Sequence, residues 1–139
     1  MQSITARLLN MEKGLVFLSA PSSGGKTRLV KRIKELKSDT LVVSSEQFTQ
    51  AVIGAINNEE RPNLLDAMAE SSCICIEDLD FYGGRQYTGY EFAEVLSRFA
   101  KESLVIVTGI DLKARLKDMF SRLSDFDYYE KKAVTDEWI

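Results

Sequence analysis

Histidine is absent from the 139 residues of this chain. Imidazole acid–base catalysis and the usual His-containing zinc sites are therefore excluded. Cysteine is scarce: Cys73 and Cys75 stand one residue apart in an apolar run. A zinc site wants about four ligands. Alternation along a strand points both thiols to one side, where reduced cysteines serve as small apolar residues. Excess positive charge is also missing, with 18 Lys and Arg against 21 Asp and Glu. That argues against binding nucleic acid through bulk charge, but leaves a local basic stripe open. No apolar run approaches the ~20 residues that span a bilayer. Met1 to Asn10 contains Arg7 and has no apolar signal core. A cytoplasmic protein without membrane contact is expected. Repeats, linkers and low-complexity stretches are lacking too, so residues 1–139 read as one domain. A chain of this size buries roughly two-thirds of its surface and needs no disulfide or metal staple.

What is present is an alternation of short apolar runs and helical stretches. Ser3 to Met11 reads as a short amphipathic helix ended by Gly14. Leu15 to Ser19 is a continuous apolar run, as expected of a strand covered on both faces. A helix is predicted from Lys26 to Leu36 and a second strand over Leu41 to Ser44. Ser45 is expected to cap a helix bearing Phe48, Val52 and Ile56. Pro62 suits the first turn of another helix. Cys73 to Ile76 makes a third strand, which ends in Glu77 and Asp78. Gly83 and Gly84 precede a helix bearing Tyr90, Ala93, Leu96 and Phe99. Leu104 to Thr108 is a fourth strand, Leu112 to Phe120 a short helix, and Phe126 to Glu130 a fifth strand. Such alternation implies an α/β fold, a three-layer αβα sandwich on a five-stranded parallel sheet.

The segment Ala20-Pro21-Ser22-Ser23-Gly24-Gly25-Lys26-Thr27 matches G-x-x-x-x-G-K-[ST], with alanine for the first glycine. It follows a strand and opens a helix, as a P-loop NTPase requires. Gly24 and Gly25 would let the backbone approach phosphates and take positive φ. Backbone N–H groups and the helix N-terminus favour negative charge. Lys26 would reach the β- and γ-phosphates, and Thr27 would place its hydroxyl on Mg²⁺. The alternative is a capped turn with a surface lysine. Ala20 and Pro21 stiffen the loop, and Ser23 stands where glycine is frequent.

Glu77 and Asp78 end the third strand, at the edge where parallel sheets place their ligands. Glu77 is the candidate metal carboxylate, since Mg²⁺ prefers oxygen ligands, and Asp78 the candidate for positioning water. Thr108, ending the fourth strand, is a candidate to touch the γ-phosphate or the attacking water. A solvated strand end is the plainer reading of all three.

With these segments placed, the chain resembles the AAA+ nucleotide-binding core of the bacterial replication initiator family, DnaA. Phe17 to Leu29 is similar to that family's strand, phosphate loop and helix. Leu41 to Phe48 resembles its second strand and the following helix start. Ile76 to Phe81, followed by Glu91 and Phe92, resembles its acidic strand end and next helix, and Leu104 to Thr108 its sensor strand. Arg122, within Ser121-Arg122-Leu123, sits where the family has an arginine acting on a neighbour's nucleotide. The resemblance implies ATP or ADP with Mg²⁺ as ligands. It also implies homo- or hetero-oligomers with AAA+ proteins such as the initiator, in replication or its control. Gly109 and Ile110 stand where the family has an aspartate or asparagine after the sensor threonine. The sequence ends soon after the fifth strand. Neither the helical lid nor the helix-turn-helix domain is therefore expected, and full initiator function is not.

Other stretches have two uses each. The basic helix with Arg28, Lys31, Arg32, Lys34 and Lys37 is a solvated face or a contact for single-stranded DNA. Tyr82, Tyr87 and Tyr90 pack locally or at an interface, or stack on bases. Trp138 closes the core or anchors a partner. Arg122 is a finger in trans or a surface charge paired with Asp118 or Asp125. The function expected is an ATP/ADP-binding protein acting by nucleotide-dependent association. The alternatives are a nucleotide-binding scaffold with negligible hydrolysis and, furthest, a small phosphotransferase.

Overall fold

The structure, a computed structural model, describes residues 4–21, 25–56, 64–79 and 88–131. Its elements run α1 (Ile4–Asn10), β1 (Gly14–Ser19), α2 (Lys26–Leu36), β2 (Thr40–Ser44), α3 (Ser45–Ile56), α4 (Leu64–Glu70) and β3 (Cys73–Glu77). There follow α5 (Thr88–Ala100), β4 (Leu104–Gly109), α6 (Leu112–Arg115), α7 (Lys117–Ser121) and β5 (Asp127–Glu130). Ser22, Ser23, Gly24, Tyr82, Tyr87 and Trp138 lie outside the described residues.

The five strands form one parallel sheet in the order β2-β3-β4-β1-β5. Strands covered on both faces read as near-continuous apolar runs, and β1 and β4 do so, being buried from Leu15 to Ser19 and from Leu104 to Gly109. Successive side chains point to opposite faces, so each strand feeds two cores. Leu15, Phe17, Ile74, Ile76, Val105 and Val107 face α3 to α7. Val16, Leu18, Cys73, Cys75, Leu104 and Ile106 face α1 and α2. The predicted three-layer architecture is observed, and both cysteines are free thiols packed on one side.

Two local details differ from expectation. Ser44, not Ser45, caps α3: its hydroxyl accepts from the Gln47 N–H at 3.1 Å, and the Gln47 side chain accepts from the Ser44 N–H at 3.0 Å. This reciprocal pair is a capping box. The helix expected over Leu112 to Phe120 is broken at Leu116, which leaves helical geometry (φ −117°, ψ 42°). Leu112, Leu116 and Met119 all remain buried, so the break keeps three apolar side chains under the sheet.

Candidate functional site

The C-terminal ends of β1, β3 and β4 converge on the start of α2. A sharp turn is needed where β1 hands over to α2, and Gly25 supplies it with φ 83°, the left-handed region that glycine adopts at no steric cost. Among the described residues no side chain caps the N-terminus of α2, and its first turn holds no acidic residue. Its first-turn N–H groups and dipole therefore favour an anion. Ala20 is not among the residues with positive φ, so the first-glycine position tolerates a methyl group here. Its N–H donates to the Gly109 carbonyl at 3.0 Å, extending the β1–β4 ladder past the strand.

Lys26 is buried, with 5% of its surface exposed. Its Nζ donates to the Ala20 carbonyl at 2.6 Å and to the Pro21 carbonyl at 3.1 Å. The ammonium thus closes the loop onto itself with charge-assisted hydrogen bonds. Burial lowers its pKa, and the nearby Asp78 carboxylate opposes that shift. Thr27 is exposed in the first turn of α2.

Asp78, rather than Glu77, is the carboxylate that acts electrostatically on Lys26. It sits just past β3 with φ 57°, a conformation that aspartate tolerates better than most residues. Glu77 is half-buried, and its pKa is raised, first by burial and then by the charge of Asp78. Thr108 is buried, and its Oγ1 accepts from the Asp78 N–H at 3.1 Å. Its hydroxyl proton remains available to donate. Lys26, Glu77, Asp78 and Thr108 are therefore brought to one edge.

Arg122 is not part of this cluster. It follows α7, exposed, with its Nε 3.4 Å from the Asp118 carboxylate and its guanidinium 5.3 Å from the centre of the Tyr90 ring. The Asp118 pairing is the surface contact weighed from the sequence.

Two further residues at this edge, Ser19 and Asp111, were not foreseen. The Ser19 hydroxyl, buried, accepts from the Leu112 N–H at 3.2 Å. Asp111 (φ 50°) opens α6, and with Pro21, Ile110, Glu130 and Lys131 it borders a cleft of about 300 Å³ beside the loop. A serine at a strand end and an aspartate three residues after the sensor strand's threonine were the available signals. Among the described residues no three carboxylates or cysteines cluster to hold a metal. A cation here would take Thr27 and one acidic neighbour, with phosphate and water oxygens completing its shell, which suits Mg²⁺.

A family model described as the bacterial DnaA ATPase domain matches residues 6–127. The chromosomal replication initiator protein DnaA 1 of Chlamydia muridarum is 29% identical over 113 residues, covering 78% of this chain and 25% of that protein. Its counterpart in Chlamydia trachomatis is 29% identical over 116 residues, covering 77% and 25%. The chain thus spans about a quarter of the length of these curated relatives. Among solved structures, an AMPPCP-bound DnaA from Aquifex aeolicus superposes with a TM-score of 0.69 at 15% identity, covering 91% of this chain and 44% of that one. Domain III of the Thermotoga maritima DnaA gives 0.69 at 13% identity, covering 93% and 60%. A DnaA bound to AMPPCP and single-stranded DNA gives 0.73 at 16%, covering 93% and 44%. No described helix is long and apolar enough to cross a membrane.

Proposed function

This chain belongs to the bacterial DnaA ATPase domain family, and on that footing we propose that it binds ATP or ADP with Mg²⁺ at the Ala20–Thr27 loop and associates with AAA+ partners in replication or its control. The observation that carries the reading is Lys26, a buried ammonium at the N-terminus of α2, held by two carbonyls of its own loop. A nucleotide's β- and γ-phosphates would take over that ammonium. The N–H groups of α2 would receive the phosphate oxygens, and Thr27 with Glu77 or Asp78 would hold the metal. Asp78 and Thr108 stand at the strand ends where an attacking water would be positioned.

Catalysis by the chain alone is expected to be slow. Phosphoryl transfer needs several charges already in place. A scaffold that binds nucleotide with negligible hydrolysis is the second reading. It is favoured by Arg122, which Asp118 holds apart from the cluster of Lys26, Glu77, Asp78 and Thr108.

Titration calorimetry with ATP-Mg²⁺ and ADP, alongside thermal melting, tests the proposal. Ligand at about 100 times its dissociation constant adds roughly 2.7 kcal/mol. That corresponds to a rise in melting temperature of about 10 °C at this size. Lys26→Ala should lose most of the rise. No heat and no shift in wild type at millimolar nucleotide would remove the site.

A further inference from the structure

The positive charge of the helices is concentrated on α2. On one face of the sheet, α2 exposes Arg28, Lys31, Arg32 and Lys34 against a single carboxylate, Glu35. On the other face, α3 to α7 mix the signs: Glu46, Asp66, Glu70, Glu91, Glu94 and Asp118 stand with Arg98, Lys113, Arg115 and Lys117. The chain's net charge of −3 hides this concentration.

The cations of α2 share its outward face. Leu29, Val30 and Ile33 turn inward. Lys31 and Arg32, three and four residues after Arg28, each neighbour it at about 5–6 Å between Cβ atoms, and the exposed Glu35 lies on the same face, four residues after Lys31. Like charges so placed repel, and Arg28 lies in the first turn, where the helix dipole disfavours a cation. No ion pair within the described residues offsets either cost for these four side chains.

We propose that the outward face of α2 is a docking surface for the phosphate backbone of duplex nucleic acid. This face calls for an anion of high linear charge density. Duplex DNA offers one charge per about 1.7 Å of axis, and α2, about 16 Å long, spans several of them. The described α2 face holds no aromatic side chain on which unpaired bases would stack, so the contact is made through phosphates and is indifferent to sequence. A second copy is the other source of negative charge. Its carboxylates are dispersed over four helices and Glu91 is half-buried, so they do not form a matching patch. The surface begins at Arg28, one residue past the nucleotide loop, and the proposal does not depend on the reading given to that loop.

Fluorescence anisotropy with a labelled 20-base-pair duplex and the corresponding single strand tests this on the full chain. Duplex binding is expected in the micromolar range at low salt. Its logarithm should fall with log salt at a slope of about −3, as for three or four neutralised phosphates. Arg28→Glu/Lys31→Glu/Arg32→Glu should weaken it at least tenfold while the circular dichroism spectrum stays native. If that variant fails to fold, the milder Arg28→Gln/Lys31→Gln/Arg32→Gln takes its place, with a weakening of several-fold. Glu46→Lys/Glu70→Lys, on the opposite layer, should leave the slope unaltered. Absent duplex binding at low salt, binding indifferent to the α2 changes, or tighter binding of the single strand would each overturn the proposal. So would light scattering in which the α2 changes abolish self-association and leave the duplex affinity intact.

Discussion

The Thr108 hydroxyl accepts the N–H of Asp78 at 3.1 Å, and the Thr108 carbonyl accepts the N–H of Leu79 at 2.9 Å. One residue at the end of β4 thus holds two consecutive amides of the turn after β3. The turn places Asp78 in a left-handed conformation (φ 57°) beside Lys26. Such a conformation costs about 1–3 kcal/mol in a residue other than glycine and persists only where its surroundings enforce it. Thr108 is the enforcing residue.

Thr108→Val keeps the shape and removes the acceptor, leaving the partly buried Asp78 N–H without its partner. The expected cost is about 1–3 kcal/mol, read as a melting temperature several degrees lower. The nucleotide response should shrink as Asp78 relaxes from its position. Thr108→Ser retains the oxygen and should recover most of both effects. A valine variant as stable and as responsive as wild type would leave the hydroxyl without a structural role.

Glu77 gives a pH-dependent prediction with a definite sign. Burial and the Asp78 charge raise its folded pKa above that of the unfolded chain, where glutamate titrates near 4.3. The native state therefore prefers the protonated carboxyl. Its contribution to stability is fully present below the unfolded pKa and is lost as pH rises through the folded one. At neutral pH the charged carboxylate is a burden, and Glu77→Gln should melt above wild type there. The advantage should vanish below about pH 4. Magnesium reverses the sign if Glu77 is the ligand: with saturating ATP-Mg²⁺, wild type should gain more than the glutamine variant. If Asp78→Asn shows that loss instead, the metal belongs to Asp78.

Gly109 shows where local sequence patterns stop being informative. A Cβ built there would stand 2.3 Å from Leu112 Cδ2 and 3.3 Å from the Leu79 carbonyl oxygen. Leu112 is fully buried and its N–H is held by Ser19, so it has little room to yield. Gly109→Ala is expected to cost about 1–3 kcal/mol by overpacking, measurable by urea unfolding. A neutral substitution would mean the 109–112 turn can shift freely. This packing also accounts for glycine where the resembling family places an aspartate or asparagine: the wall of the turn leaves no space for a side chain.

The parallel sheet, the two-sided strands, the thiols on one face and the helix opened by Lys26 were legible because each is written in local periodicity. The capping serine was misplaced by one residue because Ser44 and Ser45 are equally suitable by type. Only the Gln47 side chain, three residues past Ser44, selects between them. The break at Leu116 was hidden because Leu112, Leu116 and Met119 also fit one uninterrupted amphipathic helix. Strand order and the Ser19–Leu112 and Thr108–Asp78 contacts join residues 93 and 30 positions apart. Nothing in the neighbourhood of either residue encodes them.

Arg122 is held on its own surface by Asp118 and lies over the ring of Tyr90. An exposed pair of this kind is worth less than about 1 kcal/mol, so a stronger anion can draw the guanidinium away. Its charge is permanent and its fork matches phosphate oxygens. An arginine supplied in trans to a neighbour's nucleotide can change phosphoryl-transfer rates by about 10³–10⁵. Arg122→Ala should therefore leave the monomer's melting temperature and nucleotide affinity nearly unchanged. ATP-dependent association, or hydrolysis stimulated by a partner, should fall together. Asp118→Asn releases the same guanidinium without removing it and should strengthen association, which a purely structural surface pair would not do. Light scattering in ATP-Mg²⁺ and ADP, with phosphate release measured at rising protein concentration, separates the cases. Unchanged association and hydrolysis in both variants would leave Arg122 as a surface charge paired with Asp118.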